Sequence, residues 1–415
     1  MERTASQPTW WARPGLDVRS GRLSIAGRDA ESIAREHGTP LYVHDLVRVE
    51  EQARALHGAL GRARLRHVVR FALKAQRESA FLAVLRSLGA PGTPESVGMD
   101  VCSPGELGWV LDHGWAPSEI SYTGTNLSAR DLDAVLDAGV HLNVDLVTQV
   151  ERVGKRAPGS TIGVRINPRI GASFPGGGQT YAGDRPTKFG IYPERLEDAL
   201  DIARVHDLSI DTVHVHAGYL YLTDALSAVD ETMRRVAAAT RLLIDAGCPI
   251  AEVNTGGGLG VPFRPGDAPL DLDAWATVLA RHLGPLDVVV GTEPGEFLAK
   301  ECAVHLAEVV SVEDRDGTTF VGLDTGWNVI NEHFVYGIPF HPILCRAAGA
   351  EPVANVTVAG HINEGTDLFA EEHPMPAVVE GDIVAIPNVG SYNASMVSVH
   401  CLRPAPPSVF FTDRI

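Results

Sequence analysis

Cysteine is scarce and scattered in this sequence: five thiols (Cys102, Cys248, Cys302, Cys345 and Cys401) in 415 residues, none spaced as C-x-x-C. That pattern argues against a disulfide framework or a cysteine zinc site, and points to a reducing compartment. Positive charge is also short, since 35 Lys and Arg against 52 Asp and Glu leave a net charge of -17. A chain this acidic is not expected to take nucleic acid or an anionic membrane as its main partner. No uncharged apolar run approaches the ~18 residues of a membrane span, and the opening MERTASQPTWWARP lacks the apolar core of a secretory signal. The expected location is therefore the cytoplasm. Low-complexity tracts are missing too, so the 42 Gly and 27 Pro read as turn residues.

What the chain does have is a repeat. From about residue 65 to 295 a short β-branched run, a polar or glycine end and an amphipathic stretch follow one another. The strand candidates are HVVRFALK, SVGMDVCS, EISYTG, HLNVD, TIGVRINP, DTVHVHAG, AEVNTGGG and LDVVVGTEPG, separated by helical patterns such as ARDLDAVLDAG and TMRRVAAATRLLIDAG. Eight strands alternating with helices predict an α/β fold, a (β/α)8 barrel of the TIM type, with a doubly wound open sheet as the alternative. After about residue 300 the texture changes to period-two runs with turn signals (AVHLAEVVSVEDRDGTTFVGLD, ANVTVAG, DIVAIPNVG, ASMVSVHC), which predict a separate all-β domain. GRLSIAG and TPLYVHD also read as strands. The expected organisation is residues 1–43 joining the β domain, 44–302 the barrel and 303–415 the β domain.

Barrels collect their chemistry at the carboxyl ends of the strands, and here those ends carry Lys74, Ser103, Asp145, Arg165, Asn167, His214, His216, Asn254 and Glu293. Each taken singly also fits a polar residue capping a turn. Lys74 closes an apolar strand, where desolvation lowers the cost of losing a proton and favours Schiff-base chemistry; a lysine snorkelling from the barrel mouth is the bland reading. VNTGGGLG (253–260) would let backbone N–H groups approach a phosphate, although tight turns need glycine as well. Glu293 in TEPG could keep a pyridine nitrogen protonated, or form a structural ion pair. HVHAG places His214 and His216 two apart, on one face of a strand. No third ligand accompanies them at metal spacing, and an imidazole stacked on a cofactor ring fits as well.

At this point the chain resembles the barrel-fold pyridoxal-phosphate decarboxylases, the diaminopimelate and ornithine decarboxylase family, from GTPLYVHD (38–45) to SYNASM (391–396). The resemblance is carried by FALKAQ, DVCSPGEL, RINP, TKFGI, HVHAG, VNTGGGLG, TEPGE, LDTGWN, NEGTD and NVGSY, all in family order. It implies pyridoxal 5'-phosphate held as a Schiff base by Lys74, with His216 stacked on the ring and Glu293 at the pyridine nitrogen. Gly256, Gly257, Gly258, Gly295 and Tyr392 would belong to the cofactor site, with Asn363 and Glu364 at the catalytic segment. It also implies a homodimer in which the segment around 363–367 reaches the partner's site.

Four positions depart from the family pattern. Asn363 stands where a proton-donating cysteine is usual, leaving Tyr219, His400, Cys401 or water as replacements. Tyr219 follows Gly218 in place of a phosphate-binding serine. Glu296 and Glu332 fall where diaminopimelate decarboxylases carry arginines that read a distal carboxylate, and Tyr336 completes that side-chain pocket. Two carboxylates there would repel such a group by a factor of roughly a hundred or more. The expected activity is decarboxylation of an amino acid with a cationic or neutral distal group. A genuine meso-diaminopimelate decarboxylase, a racemase or epimerase, and a non-catalytic regulatory relative are the alternatives; Glu293 favours an electron sink strong enough for decarboxylation over racemisation. Segment 171–190 reads as a lid over the site.

Overall fold

Alternating apolar strands and amphipathic helices can bury both strand faces by wrapping the helices around a closed sheet. The computed structural model describes residues 10–174, 181–183, 185–216 and 218–415 and contains that closure. Eight parallel strands form a barrel: β1 His67–Ala72, β2 Val97–Val101, β3 Ile120–Thr123, β4 His141–Val144, β5 Thr161–Arg165, β6 Ser209–His214, β7 Glu252–Asn254 and β8 Val289–Thr292. Each pairs with its neighbours in sequence, and β8 closes on β1 through Thr292 and Val69. The open-sheet alternative is thereby excluded. The strands are shorter than their sequence signals, ending one to four residues earlier, so the polar residues expected on the strands mostly sit just beyond them.

The register decides which residues meet. Arg165 lies beside His214, and His214 beside Asn254, while Ala72 lies beside Asp100. Deeper in the barrel Arg70 makes a two-pronged pair with Glu252 at 2.5 and 2.9 Å. Room for it comes from Gly291, where a Cβ would stand 2.4 Å from the Glu252 carboxylate.

The chain divides into two compact units: Gln52–Val261 with Ala268–Leu298 holds the barrel, and Met1–Glu51, Pro262–Asp267 and Ala299–Ile415 form a β unit. In the β unit, the long strand Ala303–Arg315 pairs antiparallel with Thr318–Leu323, with Ile383–Pro387 and with Leu41–Asp45. Leu23, Ile25, Leu41, Val43, Val304 and Leu306 contribute to its buried core.

One expectation for this unit needs correction. ASMVSVHC is not a strand: it forms the short 3-10 turns Ala394–Met396 and His400–Leu402. Its polar backbone is satisfied elsewhere, with Ser398 N–H donating to the Asn328 carbonyl and the Met396 carbonyl accepting from Asn331 Nδ2. Cys401 and Leu402 have φ of 53° and 55°, which a strand cannot accommodate. Conversely, Leu368–Met375 is a strand although the pair Glu371–Glu372 and Pro374 blur its alternation. No helix among the described residues is long and apolar enough to cross a membrane, and the five cysteines are free thiols. Of the segment read as a lid, residues 175–180 and 184 lie outside the described residues.

Candidate functional site

Lys74 occupies the centre of the 3-10 turn Leu73–Ala75, immediately past β1. Its side chain is 42% exposed, so the expected desolvation is not its condition. It is instead positioned by a carboxyl group, with Nζ 3.5 Å from Asp100 Oδ2. Asp100 is buried at the end of β2. Burial and the nearby Glu293 charge raise its carboxyl well above the usual carboxylate range, against the opposing pull of Lys74. Sequence reasoning passed over Asp100 because it lies inside an apolar strand; the signal was a carboxylate in a run otherwise suited to burial.

Glu293 follows β8 and is buried. His214 Nε2 lies 3.1 Å from its Oε2 and Asn254 Nδ2 donates to its Oε1 at 2.7 Å. Burial alone would raise this carboxyl, but the charge and hydrogen bond of His214, with the charge of Lys74, bring it down to about 2. It is therefore an anion held in place by two neighbours, both supplied by the adjacent strand ends. His214 ends β6, and His216 lies two residues further on, beyond the strand.

The glycine turn connects these groups. Asn254 Oδ1 accepts from Gly256 N–H at 3.0 Å, and the Gly256 carbonyl accepts from Glu293 N–H at 2.8 Å. Gly256 and Gly258 have φ of +69° and +97°, where side chains are disfavoured. A Cβ on Gly256, Gly257 or Gly258 would stand 2.4 Å from the carbonyl oxygen of Val215, Glu293 or Gly218 respectively. Gly257 N–H donates to His216 Nδ1 at 3.2 Å, which places the proton of a neutral imidazole on Nε2. Burial, with the charges of Arg165 and Lys74, holds His216 well below the ordinary histidine range. Tyr181 packs edge-on against this ring at 4.5 Å.

Tyr219 sits in a two-residue strand paired with Ala172–Ser173 and packs edge-on against Phe174. Gly295 begins the short helix Gly295–Ala299, which carries the buried Glu296. Thus the barrel unit brings Lys74, Asp100, His216, the glycine turn and Glu293 to one end of the strands.

The remaining sequence candidates belong to the β unit. Asn363 and Glu364 are exposed in the loop after Ala354–Ala359. Glu364 Oε1 lies 3.0 Å from His400 Nε2, and Trp327 stacks on that imidazole at 5.1 Å. Tyr336 packs edge-on against Tyr392 at 6.0 Å. Glu332 is fully buried and paired with Lys300 at 2.5 Å. Its charge is compensated by Lys300, which weakens the repulsion expected of it.

Residues 46–300 match the family model described as pyridoxal-dependent decarboxylase, pyridoxal binding domain. The chain belongs to the pyridoxal-dependent decarboxylase family. It is 34% identical to the diaminopimelate decarboxylase of Methanothermobacter thermautotrophicus over 96% of this chain and 93% of that one. Against the diaminopimelate decarboxylase of Streptomyces coelicolor the identity is 30%, covering 93% and 87%. Among solved structures, diaminopimelate decarboxylase from M. jannaschii in co-complex with L-lysine superimposes with a TM-score of 0.83 at 25% identity, covering 95% of this chain and 92% of that one. The Helicobacter pylori enzyme complexed with L-lysine gives 0.80 at 25%, covering 92% and 93%. The chain is thus a pyridoxal-phosphate-dependent carboxy-lyase resembling the diaminopimelate decarboxylases. The barrel end fits such a cofactor: the glycine turn leaves no room for a Cβ, and the buried carboxylate is anchored by side chains from two strands.

Proposed function

We propose that this decarboxylase binds pyridoxal 5'-phosphate through Lys74 and acts on an amino acid whose distal group is cationic or neutral. The observation that carries the cofactor assignment is Glu293, kept anionic by His214 and Asn254 beside the glycine turn. When bound, pyridoxal phosphate supplies an electron sink for the electron pair that CO2 leaves behind. Glu293 is assigned to the pyridine nitrogen, where an anion favours the protonated ring. His216 is assigned to the ring face; with its Nδ1 engaged by Gly257 and its charge suppressed, it packs there without adding positive charge. Gly256, Gly257 and Gly258 are assigned to the cofactor's phosphate, and Gly295 to the cofactor site. Asp100 orients the Lys74 amine. Asn363 has no acidic proton to give, so proton delivery to the α-carbon falls to another donor; Glu364 itself is paired with His400.

The substrate reading rests on Glu296, a buried carboxylate where an arginine would be needed to read an acidic distal group. Glu332 is neutralised by Lys300 and has no substrate role in this proposal; Tyr219 is assigned to the pocket wall. A second reading, meso-diaminopimelate as substrate, is favoured by the names of the relatives. The chain is proposed to work as a homodimer in the cytoplasm.

The test is direct. Purified protein should show an absorbance band at roughly 420 nm that is lost in Lys74→Ala, and it should release CO2 from lysine- or arginine-like amino acids. Good turnover of meso-diaminopimelate with those compounds inert would establish the second reading. Absence of the band would overturn the cofactor assignment.

A further inference from the structure

Two helices of the barrel unit, Ser79–Ser87 and Pro104–Asp112, are tied together by one tryptophan. The Trp109 indole N–H donates to the Arg77 carbonyl at 3.1 Å, just before the first of these helices. Its ring packs against the His113 imidazole at 4.5 Å, and its carbonyl accepts from His113 Nδ1 at 2.8 Å. A carbonyl only accepts, so Nδ1 carries the proton, and in the neutral imidazole Nε2 presents a lone pair. Ser79 Oγ lies 2.9 Å from that Nε2. The hydroxyl therefore donates to a ring nitrogen whose tautomer is set by a third group. That is the arrangement of an activated serine nucleophile.

The pair opens on a cleft of about 350 Å3, lined also by Leu82, Ala83, Arg86 and Trp115. Leu82 and Trp115 are buried and make part of its wall apolar. Arg86 lies over the Trp115 ring at 5.4 Å and is paired with Glu119 at 2.6 Å. Its charge is thus compensated, and an uncharged ligand suits the cleft better than an acid. Ser79 stands in the first turn of its helix, whose N-cap Glu78 makes no side-chain cap hydrogen bond. The N–H groups of a first turn have no partner within the helix, and donors of that kind steady a developing oxyanion.

We propose that Ser79 and His113 form a second active centre, which hydrolyses small uncharged carboxylic esters through an acyl-serine. The Ser79 oxygen bonds to the ester carbonyl carbon while its proton passes to His113 Nε2. The bond from that carbon to the leaving oxygen then breaks, and the departing alcohol takes the proton from Nε2. Water repeats the sequence on the acyl group, giving a carboxylic acid and the free serine. No residue of this centre is assigned to pyridoxal phosphate, so the proposal stands independently of that cofactor.

The experiment supplies p-nitrophenyl acetate to the holoenzyme and to Ser79→Ala, His113→Gln and Ala83→Phe. Release of p-nitrophenol should fall about a hundredfold or more in Ser79→Ala and in His113→Gln, the scale of losing a nucleophile or its base. Ala83 is exposed, so Ala83→Phe fills the cleft while leaving the pair in place, and it should reduce release as well. Peptide mass spectrometry at short times should find the acetyl group on Ser79. Decarboxylation should be normal in Ser79→Ala, which shows that the variant is folded. Unchanged p-nitrophenol release in Ser79→Ala, or acetyl carried by another residue such as Lys74, overturns the proposal. A lowered Tm in Ser79→Ala with unchanged release also overturns it, leaving the pair as a clip between two helices.

Discussion

Lys74 Nζ faces Asp100 Oδ2 at 3.5 Å, a partly exposed ammonium against a buried carboxyl group. Burial and the Glu293 charge raise the Asp100 carboxyl well above its ordinary range, and Lys74 opposes them. A carboxyl raised in this way binds its proton more tightly in the folded chain than in the unfolded one. Its contribution to stability is present at acid pH and is lost as pH rises from about 4, the ordinary aspartate value, towards the raised one. Asp100→Asn, which resembles the protonated form, should therefore be more stable than the parent at pH 7 by about 1 kcal/mol, with the difference vanishing near pH 4. Thermal melts across that range check this; a variant less stable at pH 7 would contradict it.

Glu293 shows the opposite sign. Its carboxyl is held down at about 2 from an ordinary value of 4.5, so the folded state holds the proton less tightly than the unfolded chain. Its stabilisation is complete above the ordinary value and lost as pH falls between the two. Glu293→Gln should lose that part of the acid destabilisation while retaining bound cofactor. Its decarboxylation rate should fall by about a hundredfold or more, the scale of removing one pre-organised charge contact. Turnover and acid melts of the same preparation separate the two effects.

The glycine turn allows a graded comparison. In Gly256→Ala and Gly258→Ala a Cβ would meet backbone oxygen at 2.4 Å, and both positions have positive φ. Each should cost about 2–3 kcal/mol and weaken cofactor binding. Gly266 also has positive φ (+90°) but nothing within 4 Å of its Cβ, so Gly266→Ala should cost only about 1 kcal/mol and leave cofactor affinity unchanged. Equal losses at all three sites in melts and cofactor titrations would show that close approach is not what matters.

Glu296→Arg should shift substrate preference. Replacing this buried glutamate by a guanidinium should improve kcat/KM for a substrate with a distal carboxylate, relative to one with a distal amine, by roughly a hundredfold. Competition between the two substrates, read by CO2 release, measures the ratio. No change would place Glu296 outside the substrate pocket.

The sequence by itself determined the eightfold alternation, because β-branched runs and amphipathic helices leave period-2 and period-3.6 signals that survive without any structure. It also determined which polar residues stand near the barrel ends, since those follow the apolar runs directly. Lys74, His216, Glu293 and the glycine turn were legible for that reason. Only tertiary structure decided what these groups do to one another. Asp100 meets Lys74 because β1 and β2 pair Ala72 with Asp100, and His214 and Asn254 reach Glu293 through the order of β6, β7 and β8. Lys300 and Glu332 are separated by 32 residues, and nothing in either local pattern signals that they would be buried together. The turns at 394–402 were hidden for a related reason: their apolar alternation suggests a strand, but their backbone hydrogen bonds go to Asn328 and Asn331. Local sequence carries periodicity; register and charge compensation depend on partners that are distant along the chain.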